Sequence, residues 1–214
     1  MILGYHKKKM KRNSYPGKFI VFEGLDGSGK TIQADLLVKN LKRAGEQAHL
    51  TAEPTIYLIG GLIRSRLARD WESSPECLEL LFAADREHHL KKEIEPLLAK
   101  GVYVVCDRYA FSSMAYGGLG IKDKAWIRDL NRHALLPNLT FLVKTRPAVS
   151  MQRIQKSRFG TELFEKEKEL GLVWKEYEKL VKEFRNIVLI DGEQSIKDVA
   201  SSIFSIIRKK FLKA

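Results

Sequence analysis

The residues best equipped for chemistry lie in one run, Gly24-Leu25-Asp26-Gly27-Ser28-Gly29-Lys30-Thr31. The run matches G-x-x-x-x-G-K-[ST], in which glycines let the backbone wrap closely round an anion and successive N–H groups point inward at phosphate oxygens. Lys30 is spaced to reach the β- and γ-phosphates of a nucleoside triphosphate, and the Thr31 hydroxyl to bind Mg²⁺. A second pair, Asp107-Arg108, has complementary chemistry. A carboxylate can hold Mg²⁺ or its waters, and an adjacent arginine can grip a phosphate bidentately and neutralise charge during transfer.

These groups work only if the chain brings them together, and the surrounding pattern provides the means. Phe19 to Glu23 is a short apolar, β-prone run leading directly into the glycine loop, and residues 30–45 read as a helix whose N-terminus adds its dipole to the same site. Val102 to Cys106 is a fully apolar strand, so Asp107-Arg108 stands at its carboxyl end, where open α/β sheets bind ligands. Further strands are expected at Gln47–Thr51, Asn138–Val143 and Ile187–Ile190. Helices are expected at 57–70, from a Ser74 cap with Pro75 at its first position to Gly101 with a kink near Pro96, at 111–118, 123–134 and Pro147–Ser157, from Glu165, and at Ser195–Phe211. Strands alternating with helices from end to end predict an α/β fold of three layers, a five-stranded parallel sheet with helices on both faces.

At 214 residues and 44% hydrophobic, the chain can bury one sizeable core, and one domain is the simplest count. No apolar run approaches the ~20 residues of a membrane span. Two cysteines, Cys77 and Cys106, make no disulfide framework, which predicts reduced thiols and a cytoplasmic location. Most of the net charge of +12 sits at the ends: the first 18 residues carry six basic residues and no acid, the last ten carry four and no acid, and about +2 remains for the rest of the chain. Such charge reads as solvated tails rather than a nucleic-acid surface. The expected division is a basic, flexible tail over 1–17, with Met10 a candidate start, and a single domain over 18–214.

The stretch Leu80–Gly118, LLFAADREHHLKKEIEPLLAKGVYVVCDRYAFSSMAYGG, resembles the thymidylate kinase family, which phosphorylates dTMP with ATP. The GLDGSGKT loop, the Glu53-Pro54 pair and the ending Val188–Val199 are similar too, so the likeness covers about residues 18–204 of this chain. The resemblance implies a P-loop NTPase fold, ATP and Mg²⁺ as donor and metal, dTMP as acceptor, and a homodimer. It implies that Phe82 stacks on the base while Arg86, one helical turn along, hydrogen-bonds it, with Ser113 near the base edge and Glu53 in the acceptor set. Asp26 would meet the 3′-hydroxyl, Tyr116 would press against the 2′ carbon, and Arg108 would bridge the two phosphates with Asp107 on the metal side. A lid is expected at about 153–165. Because the loop place that carries an arginine in some members is Gly27 here, Arg158 is the first choice for the transition-state charge and Arg153 the second. Ala52, Ile32 and Gly117 depart from the family pattern, at places usually held by an arginine, a threonine and a polar residue respectively. His88 and His89 show no metal-like constellation and read as structural. Two other readings stay open: a kinase of another monophosphate such as dUMP or UMP, and a P-loop module that binds nucleotide without turnover.

Overall fold

The computed structural model describes residues 10–157 and 166–212. Five parallel strands form the main sheet: β2 (Phe19–Gly24), β3 (Ala48–Ala52), β4 (Tyr103–Asp107), β6 (Leu139–Lys144) and β7 (Ile187–Asp191), in the order β3-β4-β2-β6-β7. The central strand β2 is buried at every position, whereas the edge strands are mostly accessible, with only Ala48 buried in β3 and only Ile187 and Ile190 in β7. A strand covered on both faces and paired on both sides must be apolar throughout; an edge strand need not be.

Successive β2 side chains feed two cores. Phe19 and Val21 pack with Leu90, Ile94, Leu170, Val173 and Tyr177. Ile20 and Phe22 pack on the other face with Leu37 and Leu41 of α1 (Lys30–Arg43) and with Ile203 and Ile207 of α9 (Ile196–Phe211). The first core is closed by the turn Leu90–Ile94, by α5 (Ala110–Tyr116) and by α8 (Glu167–Glu183), while α3 (Pro75–His89) runs up to that turn. The remaining helices are α2 (Leu58–Leu67), α4 (Glu95–Ala99), α6 (Lys124–Leu130) and α7 (Pro147–Ser157).

The signals that predicted the helix ends act as expected. The Ser74 hydroxyl accepts from the Cys77 N–H with Pro75 at the first helical position, and the Ser195 hydroxyl accepts from the Asp198 N–H. The kink expected near Pro96 is a π-turn over Leu90–Ile94 that joins α3 to α4. Pro96 has no N–H for the carbonyl four residues back and its ring crowds that carbonyl, and the wider π-turn absorbs the mismatch.

The basic segment behaves differently from the expectation once it reaches Met10. Lys11–Arg12 form a short strand, β1, pairing in parallel with β5 (Leu135–Leu136), and Met10 is buried in the first core. The Asn13 Nδ2 donates to the Asn138 Oδ1 at 2.6 Å, and the Gly17 N–H donates to the Leu98 carbonyl at 2.9 Å. Residues 10–17 are therefore docked, with both of their basic side chains, Lys11 and Arg12, turned outward. The predicted helix over 123–134 ends early for the same reason, since its last residues become the turn that leads into β5.

Candidate active site

The glycine loop follows β2, the middle strand, and Asp107-Arg108 follows β4, its neighbour. Phe22 and Asp107 are register partners, and the Arg108 N–H donates to the Phe22 carbonyl at 2.9 Å. The crevice between two adjacent carboxyl ends thus holds both sequence motifs. Within the loop, Gly24, Gly27 and Gly29 have φ of 148°, 75° and 90°, values that a side-chain-bearing residue rarely adopts. Lys30 is buried and folds back over the loop, its Nζ 3.4 Å from the Leu25 carbonyl and 3.5 Å from Asp26 Oδ1. Burial pushes its pKa down, and Arg108 adds to that.

Arg108 is the hub. Its Nη2 lies 2.5 Å from Asp26 Oδ1 and 3.3 Å from the Tyr116 hydroxyl, its Nη1 donates to Ser112 Oγ at 3.0 Å, and its guanidinium stacks over the Tyr116 ring at 5.0 Å. Burial pushes the Asp26 carboxyl up, but Arg108 and then Lys30 outweigh it and hold that carboxyl well below the usual range. Asp26 and Lys30 of the loop and Arg108 and Tyr116 from the segment after β4 form one polar cluster.

Glu23, near the end of β2, anchors the hub from below. Its carboxylate accepts from the Tyr109 and Ser112 N–H groups at 3.0 and 3.1 Å and from the Tyr177 hydroxyl at 2.9 Å. Those N–H groups stand at the buried start of α5, so a distant carboxylate caps a seven-residue helix that no local side chain caps. Sequence reasoning passed over Glu23, Ser112 and Tyr177; the only available signal was a lone carboxylate in an otherwise apolar strand.

Thr31 Oγ1 donates to Asp107 Oδ2, while Asp107 Oδ1 and Ser28 Oγ are buried without partners. Oxygen donors left unsatisfied beside a phosphate-binding loop suit a hard divalent cation, so the residues present fit Mg²⁺. Among the described residues no group of three or more His, Cys, Asp or Glu is arranged to hold a metal alone, as expected where phosphates and waters supply most ligands.

The second half of the site lies between α3 and α5. Phe82 is half-buried, and Arg86 is buried at 3% exposure, which requires paired partners. Its Nη2 is 2.8 Å from Glu53 Oε2, its Nη1 donates to Asn131 Oδ1, and both Nη atoms lie 3.3–3.4 Å from Ser113 Oγ. Burial opposes the Arg86 charge, and Glu53 together with Tyr109 and Glu79 outweighs it, so the net shift is upward. Glu53 is held in turn by His89, whose Nδ1 is 3.2 Å from Glu53 Oε1 and whose Nε2 is 2.8 Å from Thr51 Oγ1. His89 is thus structural as expected, but as a prop of the Arg86 site. Asn131, on the turn after α6, was not foreseen: nothing in its neighbourhood marks an asparagine that reaches a helix distant in sequence.

Of the lid candidates, Arg153 is half-buried on α7 and donates to the Gly192 carbonyl at 3.0 Å, next to the Gly27 and Ser28 carbonyls. Arg158, and the lid over its larger part, lie outside the described residues. The arrangement presents an anion cradle, a row of cations along it and an aromatic and guanidinium pair beside it, which suits phosphoryl transfer between two bound nucleotides.

Comparison with known proteins agrees with that chemistry. Residues 22–203 match the family model described as thymidylate kinase. The chain is 38% identical over 205 residues to a probable thymidylate kinase of Thermococcus gammatolerans, covering 92% of this chain and 98% of that protein. It is 36% identical to the thymidylate kinase of Plasmodium falciparum, covering 90% of each chain, and 36% identical to that of Exiguobacterium sp., covering 87% of this chain and 92% of the relative.

Proposed function

The chain belongs to the thymidylate kinase family and is a nucleoside monophosphate kinase, and on that premise we propose that it passes the γ-phosphoryl group of ATP to dTMP, giving dTDP and ADP. The observation that carries this reading is the Arg108–Asp26 pair at 2.5 Å, which ties the end of β4 to the phosphate loop. A guanidinium so placed can touch the acceptor phosphate and the transferring group together.

The loop N–H groups and Lys30 hold the donor phosphates, and Thr31 with Asp107 would hold Mg²⁺, which when bound neutralises charge on the phosphate oxygens. Asp26 accepts from the acceptor 3′-hydroxyl, and Tyr116 packs against the 2′ carbon, where a ribose hydroxyl would collide. Phe82 stacks on the thymine ring while Arg86, braced by Glu53, addresses its edge beside Ser113. No arginine stands in the glycine loop, so Arg158 or Arg153 supplies charge to the transition state from the lid side; Arg153 must first release the Gly192 carbonyl.

We further place the enzyme in the cytoplasm as a homodimer. Free Cys77 and Cys106 suit a reducing compartment, and no described helix is long and apolar enough to cross a membrane. Ile56 just before α2 and Leu58 on it, 88% and 82% exposed, with Leu62 of α2 and Leu80 of α3, are exposed apolar side chains that suit a second copy.

An ADP-release assay with ATP and Mg²⁺ against dTMP, dUMP, UMP, CMP, AMP and GMP tests the reading. Turnover fastest with dTMP and reduced by roughly 100-fold or more in Arg108→Ala, with the fold intact by circular dichroism, is the expected result. Preference for another monophosphate would remove the base-reading roles of Phe82 and Arg86, and no turnover at all would leave a binding module.

A further inference from the structure

Glu53 is tied to the site by its backbone and by its side chain. Its N–H donates to the Asp107 carbonyl at 3.0 Å, which fixes it to the end of β4. Its carboxylate meets Arg86, with Oε2 2.9 Å from Nε and 2.8 Å from Nη2. One oxygen thus takes two of the five guanidinium protons, and Asn131 takes a third. The remaining two are directed at Ser113 Oγ at 3.4 and 3.3 Å, the longest bonds of the set and the ones an incoming base carbonyl can claim. Where those two protons point depends on where Oε2 stands.

The position of Oε2 is set through the other carboxylate oxygen. Among the described residues Oε1 has one hydrogen-bond partner, His89 Nδ1 at 3.2 Å. His89 closes α3 three residues beyond Arg86 and is fully buried. Its Nε2 is 2.8 Å from Thr51 Oγ1 on β3 and 3.7 Å from Glu93 Oε2 on the Leu90–Ile94 turn, so the ring is gripped on its far side as well. A carboxylate paired with a guanidinium only accepts, so the ring nitrogen facing it carries a proton, whichever way the proton between Nε2 and Thr51 runs. Without that donor Oε1 would be a buried acceptor left unsatisfied. A carboxylate that turned to find another partner would carry Oε2 away from Arg86.

We propose, on the reading of function given above, that His89 is a positioning residue of the acceptor site, its Nδ1–H fixing the Glu53 carboxylate and, through it, the two Arg86 protons that meet the acceptor base. Being fully buried, the ring meets no substrate itself. A histidine that merely filled space could be replaced by any side chain of similar volume. One that acts through Nδ1 can be replaced only by a side chain that puts a donor in the same place.

His89→Asn and His89→Gln separate the two roles. The asparagine amide nitrogen falls near the place of Nδ1 and the glutamine amide nitrogen near that of Nε2, while glutamine is the closer to histidine in volume. KM for dTMP, KM for ATP and Tm are measured for both variants and the wild type. The expected KM for dTMP is roughly tenfold above wild type in His89→Gln, the effect of about one hydrogen bond, and within about twofold of it in His89→Asn. KM for ATP stays level in both. His89→Asn leaves the larger cavity and should melt at the lower temperature, so affinity and stability rank the variants in opposite orders. A KM for dTMP that is unchanged in both, rises equally in both or follows the order of stability overturns the inference. Nitrogen-15 spectra of the wild-type histidine rings carry the test if a variant fails to fold, and they need no substrate: Nδ1 of His89 should appear as a protonated nitrogen. An unprotonated Nδ1 overturns the inference alone, whereas absence of dTMP turnover in the wild type overturns the proposed function and the acceptor role of His89 with it.

Discussion

Arg108 has φ of 67°, in the left-handed region that costs a residue with a side chain about 1–2 kcal/mol. Asp26, Ser112, Tyr116 and the Phe22 carbonyl all hold it there, and the result is a guanidinium turned over the phosphate loop rather than outward along the strand. Glu79 carries a different cost, that of burying a carboxyl beside one long-range cation. Its carboxyl binds a proton more tightly in the folded protein, at about 7, than in the unfolded chain at its usual 4.5. The stability this contributes is fully present below about 4.5 and is lost as pH climbs through about 7. Each pH unit between those two values is worth about 1.36 kcal/mol, so the loss is on the order of 3 kcal/mol. Glu79→Gln removes it, so urea unfolding at pH 5 and pH 8 should show the wild type losing more stability over that interval than the variant. Parallel losses in the two proteins would mean that another group dominates the pH dependence.

At the scale of elements, the loop and α7 meet through Gly27. A Cβ there would run into the Ser150 carbonyl and crowd Ile154, and φ of 75° adds strain of its own. A backbone carbonyl inside a helix cannot yield as a flexible side chain can, so Gly27→Ala should push α7 away from the loop. The expected outcome is nucleotide affinity at least about tenfold weaker by calorimetric titration, since a displaced loop misdirects several N–H donors together. Gly45→Ala is the control: its φ of 87° is equally strained, but its Cβ meets open space, so about 1 kcal/mol of stability should be lost with nucleotide binding unchanged. Equal effects on binding from the two changes would show that strain, not the contact with α7, governs the loop. Features with a period were legible in the sequence. Both faces of β2, the glycine loop, the caps at Ser74 and Ser195 and all five strands of the main sheet fall within a residue or two of their expected bounds. Features that depend on a distant partner were not. The two-residue strands β1 and β5 have no period to detect, and Glu79 sits between two leucines where polarity alone predicts an outward-facing residue. The structure reverses that, with Glu79 5% exposed and Leu80 51% exposed. Where an acceptor pocket lies on one side of a helix and an apolar face on another, the usual polarity of the helix is inverted.

In the whole molecule, the docked segment before β2 connects stability to the Arg86 cluster. Met10 is buried in the core that the Leu90–Ile94 turn, α5 and α8 share, the Lys11 N–H donates to the Ala134 carbonyl at 2.9 Å, and Asn13 holds Asn138, whose Oδ1 also accepts from the Phe19 N–H at 2.7 Å. Ala134 ends the turn that begins at Asn131, and Asn131 accepts from Arg86. The segment thus fastens β5 at one end of a short turn whose other end faces the Arg86 guanidinium. A chain begun at Met10 keeps every one of these contacts, whereas one begun at Lys18 loses all those made by the segment. Burial of the Met10 side chain contributes about 1.5–3 kcal/mol and each of the lost hydrogen bonds about 0.5–1.5 kcal/mol. At roughly 2–4 °C per kcal/mol for a chain of this size, the shorter protein should melt roughly 5–15 °C below the one begun at Met10. Its KM for dTMP should rise by several-fold with KM for ATP unchanged, because the segment is fastened to the Asn131 turn and not to the glycine loop. Lower melting with both KM values unchanged would show that the segment stabilises the core without setting Asn131. A rise in both would show that its loss reaches the central strand, through the Asn138 side-chain carbonyl that holds the start of β2.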